Sequence, residues 1–275
     1  RSSAASDVYK RQIFNYVLQH QEDCIEKTIA IIVYPMNALI NSQAEELGRY
    51  QQQYEETTGK KCPFTFGKYT GQEDSQARER MQQTPPNIIL TNYMMLELLM
   101  TRAGDEKHLR DCFLENLHYL VFDELHTYRG MQGSDVSFLI RRIKAQAKGE
   151  VLCFGTSATM VADDKLSYKE QRQKVADVAS CIFGSTYDSS QVVDETLKAG
   201  LTNPHYTKSD LVAAINAPIP SELNATLIQD FPTTNWIEQN VALRYDVEER
   251  KYFRGTPCSI AVSYTHLRAH ETDQY

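Results

Sequence analysis

LHYLVFDELH, residues 117–126, and EVLCFGTSAT, residues 150–159, are the two stretches on which the fold turns. Each opens with a short unbroken apolar run and closes on small polar or charged residues. A strand buried on both faces delivers its last side chains to the rim of a parallel sheet in this way. Three more runs share the character: TIAIIVY (28–34), FTFGKY (64–69) and NIILT (87–91). Pro85 and Pro86 precede the last of them and impose an extended entry.

Helical spacing fills the intervals between the runs. Val136, Leu139, Ile140, Ile143 and Ala147 recur at three and four residues, with Arg141, Arg142, Lys144 and Lys148 on other faces. Ile40, Ala44 and Leu47 repeat the pattern after the first run. Strands alternating with amphipathic helices predict an α/β fold, a parallel sheet with helices on both faces. Beyond Thr159 the texture changes. One amphipathic segment at 165–183 leads into mixed sequence with Pro204, Pro218, Pro220, Pro232 and the single Trp236. The stretch 165–261 holds no repeat or low-complexity tract and reads as a connecting or inserted region.

Composition sets broad limits. A hydrophobic content of 41% over 275 residues is enough for a real core and argues against a disordered tail. The formal charge of -7 confines any nucleic-acid contact to a local groove and oriented backbone amides. The six cysteines, Cys24, Cys62, Cys112, Cys153, Cys181 and Cys258, form no CxxC pair, so a structural zinc site is not expected and reduced intracellular thiols are. The apolar runs are much shorter than the roughly 20 residues of a membrane helix. A soluble, cytoplasmic protein without membrane contact is the expectation.

The chemistry concentrates at Asp123, Glu124 and His126. Ligands of an open parallel sheet bind beyond the carboxyl ends of its strands, so two adjacent acids there suit a metal and a reacting centre. An Asp-Glu pair after a strand is also what an ordinary solvated turn contains; the later run ending in Ser157, Ala158 and Thr159 favours the functional reading.

Strand-DExH followed by strand-SAT resembles motifs II and III of superfamily 2 DEAD/DEAH-box helicases, and the likeness continues upstream. YPMNAL (34–39) with Gln43 resembles motif Ia, Tyr69-Thr70-Gly71 the small glycine element after it, and TNYMML (91–96) motif Ib. DELHTYRGMQG (123–133) and YPMNALINSQ (34–43) are most similar to the Hrq1/YprA-like and Lhr-like branch of DNA helicases, whose members occur in DNA repair and phage defence. The resemblance implies a RecA-like fold of the P-loop NTPase type, incomplete here, with ATP and Mg²⁺ as cofactors. It implies that Asp123 holds Mg²⁺, that Glu124 orients and deprotonates the attacking water, and that His126 links the nucleotide site to Ser157 and Thr159. Pro35, Asn37, Gln43, Thr70, Gly71, Thr91 and Asn92 are the implied nucleic-acid contacts. Arg129 joins them as a nucleic-acid or interdomain contact, the alternative being a solvated arginine. DNA, single-stranded or duplex, is the expected partner, with RNA as the alternative.

The phosphate-binding pattern GxxxxGK[ST] does not occur. Gly59-Lys60 and Gly67-Lys68 have Tyr54 and Cys62 where its first glycine belongs. LRYDVEERKYFRG (243–255) does not substitute for an arginine-finger motif. RSSAASDVYKRQ (1–12) and VSYTHLRAHETDQY (262–275) resemble translated sequencing adaptors. The expected organisation is therefore artefact at 1–12, a partial first RecA-like domain at 13–164, a connecting region at 165–261 and artefact at 262–275. The phosphate loop and a second RecA-like domain are expected to lie outside the chain, leaving it an inactive piece of a motor. Two rival readings remain: a noncatalytic RecA-like module that binds nucleic acid or protein, and a metallohydrolase, which the lack of HExxH spacing disfavours.

Overall fold

A computed structural model describes residues 4–101, 107–128, 130–157, 167–193, 197, 200, 206–217, 230–247 and 250–255. It divides into two compact units, Arg1–Val193 and Asp194–Tyr275.

In the first unit all five apolar runs form strands: β1 (Ala30–Tyr34), β2 (Phe66–Tyr69), β3 (Ile88–Asn92), β4 (Tyr119–Phe122) and β5 (Leu152–Gly155). They build one parallel sheet in the order β2-β3-β1-β4-β5. Central β1 is buried throughout, because successive side chains enter opposite cores. Ile31 and Val33 join Ile89, Leu120 and Phe122 on one face; Ala30, Ile32 and Tyr34 join Ile88, Leu90 and Val121 on the other.

Helices cover both faces. Helix α1 (Ala4–Gln19) supplies Tyr9, Ile13 and Val17 to the second face, and α2 (Asn37–Thr58) supplies Ile40 and Leu47. Helix α1 runs unbroken across residue 12, with Lys10 buried and paired to Glu46 at 2.9 Å. The first face takes Met81 from α3 (Ser75–Gln83), Leu96 and Leu99 from α4 (Tyr93–Thr101), and Leu109 and Phe113 from α5 (Lys107–Asn116). Helix α6 (Gly130–Gln146) contributes Val136, Leu139, Ile140 and Ile143, the stripe expected from spacing.

Helix α7 (Tyr168–Phe183), read from sequence as the start of the connecting region, packs with the first unit. Its Ile182 and Phe183 enter the same core as α6, and α6 caps its end. Arg141 Nη2 donates to the Cys181 carbonyl at 2.9 Å, and Lys144 Nζ to the Phe183 carbonyl at 3.1 Å. Two cations thus meet the negative end of the helix and satisfy carbonyls that lack an intrahelical partner. Gly184 closes that end with φ 60°, and a Cβ there would press on the Arg141 side chain.

The second unit holds α8 (Lys208–Asn216), α9 (Pro232–Ile237) and an antiparallel hairpin of β6 (Leu243–Asp246) and β7 (Lys251–Arg254). Leu211 and Trp236 form its small core. No helix among the described residues is long and apolar enough to cross a membrane.

If the α6 cations hold α7, Arg141→Ala lowers stability by about 1–2 kcal/mol. Urea unfolding followed by circular dichroism measures it; an unchanged midpoint would mean that α7 docks through apolar contact alone.

Candidate functional site

Parallel pairing in register brings the carboxyl ends of the strands to one rim. Tyr34 lies opposite Asn92, Val33 opposite Phe122, and Phe122 opposite Gly155. The chain leaving β4 is Asp123-Glu124, and the chain leaving β5 is Thr156-Ser157. These two exits are neighbours, so the residues singled out from motifs far apart in sequence share one place.

The two segments are stitched together by hydrogen bonds. The Thr156 hydroxyl donates to Asp123 Oδ1. The Glu124 amide donates to Thr156 Oγ1 at 3.1 Å, and the Leu125 amide to the Thr156 carbonyl at 2.8 Å. His126 Nδ1 lies 3.3 Å from Ser157 Oγ, the link expected between motifs II and III. The same nitrogen is 3.1 Å from Glu124 Oε2, within ion-pair distance but without hydrogen-bond geometry.

Burial pushes the Asp123 carboxyl above the usual aspartate range. The Thr156 hydrogen bond and the Lys10 charge oppose that shift, and the neighbouring Glu124 adds to it. A desolvated carboxylate beside a second acid is a group short of positive charge. Mg²⁺ suits such a place, since it binds through one or two carboxylates while keeping waters and phosphate oxygens. Among the described residues no cluster of three or more His, Cys, Asp or Glu could hold a metal.

On the other side of β1 the helix starts of α2 and α4 lie side by side. Asn92 caps α4 by accepting from the Met95 amide at 2.9 Å and donates through Nδ2 to Asn37 Oδ1 at 2.9 Å. The Asn37 carboxamide is thereby oriented with its oxygen inward. Pro35 and Gln43 are half-buried on the same side of the sheet edge, and Gln43 Oε1 is buried without a hydrogen-bond partner in the protein.

The remaining expectations fare differently. Thr91 is buried and donates to the Tyr69 carbonyl at 2.6 Å, so it ties β3 to β2 and has no surface to offer a ligand. Thr70 gives its amide and hydroxyl to the Glu73 carboxylate at 2.7 and 2.8 Å, closing a turn in which Gly71 has φ 84°. Arg129 and Thr159 lie outside the described residues. Thr156 and Thr127 were missed. The signal for Thr156 was a hydroxyl directly at the strand end, one residue before the SAT string.

The model of the DEAD/DEAH box helicase family matches residues 8–166, more than half of the chain. The chain belongs to the DEAD/DEAH box helicase family. It is 27% identical over 164 residues to the uncharacterized ATP-dependent helicase MJ1574 of Methanocaldococcus jannaschii, covering 58% of this chain and 22% of that protein. It is 34% identical over 120 residues to the uncharacterized ATP-dependent helicase YprA of Bacillus subtilis, covering 43% of this chain and 15% of that one. The chain thus spans less than a quarter of the length of either relative. The crystal structure of the DUF1998 helicase MrfA superimposes with a TM-score of 0.52 at 23% identity, over 68% of this chain and 26% of that one, which establishes a shared fold. The five-stranded parallel sheet is accordingly the RecA-like sheet of a helicase.

The raised Asp123 carboxyl fixes the sign of a pH effect. An acid whose folded pKa lies above its unfolded value favours folding below the unfolded value, and that advantage is lost as pH rises through the folded one. Asp123→Asn, which removes the desolvated charge, should raise stability at pH 7. The gain should shrink towards zero below the ordinary aspartate range. Urea midpoints across pH test this, and a gain that does not depend on pH would contradict it.

Proposed function

We propose that residues 13–164 are part of the first RecA-like domain of a motor that couples ATP hydrolysis to translocation along, or unwinding of, nucleic acid, with DNA as the preferred strand. The observation that carries the reading is the joining of Asp123, Glu124, His126 and Ser157 at the neighbouring ends of β4 and β5, in a chain of the DEAD/DEAH box family. The preference for DNA rests on the resemblance of residues 34–43 and 123–133 to DNA helicases.

In this reading Asp123 holds Mg²⁺ through water, and bound Mg²⁺ neutralises charge that grows on the phosphates. Glu124, whose side chain is about one-third exposed at the rim, orients the attacking water and takes its proton. His126, between Glu124 and Ser157, relates the state of that carboxylate to the segment after β5. Strand contact falls to Asn37, Gln43 and Gly71, whose carboxamide and backbone donors suit phosphate oxygens, with Pro35 beside them as an apolar contact. Asn92 serves that surface by orienting Asn37, and Arg129 and Thr159 keep their assigned roles as proposals.

The chain as it stands turns over no ATP in this account, because no GxxxxGK[ST] loop is present to cradle the phosphates. The paired helix starts at Asn37 and Asn92 favour a residual activity of the binding class, a grip on single strands without nucleotide. Steady-state ATPase assays with single-stranded DNA should give no turnover above background; turnover abolished by Glu124→Gln would contradict the account. In fluorescence anisotropy, binding should weaken with salt, and Asn37→Ala should weaken it further, by about tenfold for a lost hydrogen bond to a charged group. Equal affinity of the variant would remove Asn37 from the strand surface.

A further inference from the structure

Glu124 stands in the left-handed backbone region, with φ 55° and ψ 51°. A side chain there is strained, because its Cβ crowds the following carbonyl, and such strain persists only where the surroundings over-determine it. Four hydrogen bonds fix the peptide units on either side. The Glu124 amide donates to Thr156 Oγ1 at 3.1 Å, and the Leu125 amide to the Thr156 carbonyl at 2.8 Å. From the other side the Thr127 amide and hydroxyl both donate to the Glu124 carbonyl, at 2.9 and 2.8 Å.

Thr156 has one hydroxyl proton, and it goes to Asp123 Oδ1, so towards Glu124 the same oxygen can only accept. One side chain therefore addresses both acids, the carboxylate of the first and the main chain of the second. Thr156 is itself buried and anchored, its amide donating to the Phe122 carbonyl at 3.1 Å.

We propose that Thr156, with Thr127 opposite, is a positioning residue that holds Glu124 in its left-handed backbone and so aims the second carboxylate from the end of β5. This makes a main-chain connection between the two motifs that does not pass through His126. Ser157 follows Thr156 directly, so a displacement of that segment releases the Glu124 amide and lets its backbone relax. The functional meaning rests on the reading of Glu124 as the group that handles water; the hold itself does not.

The test compares Glu124→Gly with Glu124→Ala in the full chain, by urea unfolding followed by circular dichroism. Both variants remove the carboxylate, so charge cancels between them. At an ordinary backbone angle alanine is the more stable of the two, whereas a left-handed position reverses the order. The glycine variant should fold with an equilibrium constant larger by roughly fivefold. In a Thr156→Val background the order should return to alanine over glycine, and Thr156→Ser should preserve the glycine advantage. Alanine ahead of glycine in the parent background overturns the proposal. So does a glycine advantage of equal size with and without the Thr156 hydroxyl. If Thr156→Val does not fold, Thr127→Ala takes its place, and a glycine advantage left undiminished there is again the overturning result. These readings concern stability alone. An unchanged ATPase rate of a complete motor carrying Glu124→Gln would instead sink the catalytic reading and leave the hold standing.

Discussion

The Thr156 hydroxyl reaches the Asp123 carboxylate only because β4 and β5 run parallel and in register, with Phe122 opposite Gly155. Each strand then surrenders its chain at the same rim, and residues some thirty positions apart become neighbours. Everything assigned to the site follows from that pairing. A slip of one residue would turn the side chains of β5 to the opposite faces and carry Thr156 away from the acids. Packing of Val151 and Cys153 into one core and of Phe154 against the other opposes the slip.

The site itself runs against stability. A buried carboxylate, a second acid beside it and a non-glycine residue in a left-handed conformation are each unfavourable in isolation. They persist together because Thr156, Thr127 and the flanking amides supply hydrogen bonds to them. In the proposed reading a counter-charge from outside the chain, Mg²⁺ with its phosphates, would offset that cost. In the proposed reading the helix starts beside Asn37 and Asn92 would let a chain of formal charge -7 meet an anionic strand through neutral donors.

Much of this was legible in the residues. The five strands were readable because strands buried on both faces are continuous apolar runs, and the α6 stripe because its spacing has a single helical solution. His126 beside Ser157 was legible only through motif order. Other features lay beyond reach of the sequence for physical reasons. The left-handed backbone at Glu124 is imposed by tertiary hydrogen bonds, and no property of glutamate announces it. Thr91 reads as a nucleic-acid contact through its resemblance to motif Ib, and the direction of its hydroxyl, inward to the Tyr69 carbonyl, is set by tertiary packing. The place of α7 depended on Arg141 and Lys144 finding its terminal carbonyls across a gap of some forty residues, a contact that periodicity cannot foresee.

In the proposed reading the ends of β4 and β5 jointly receive the metal. Mn²⁺ titrated into ¹⁵N-labelled chain reports on it through paramagnetic broadening, since Mn²⁺ takes the oxygen ligands that Mg²⁺ takes. The amides of Asp123, Glu124, Thr156 and Ser157 should broaden together, and Asp123→Asn should abolish the effect. Broadening of one segment without the other, or centred on carboxylates elsewhere in the chain, would contradict it.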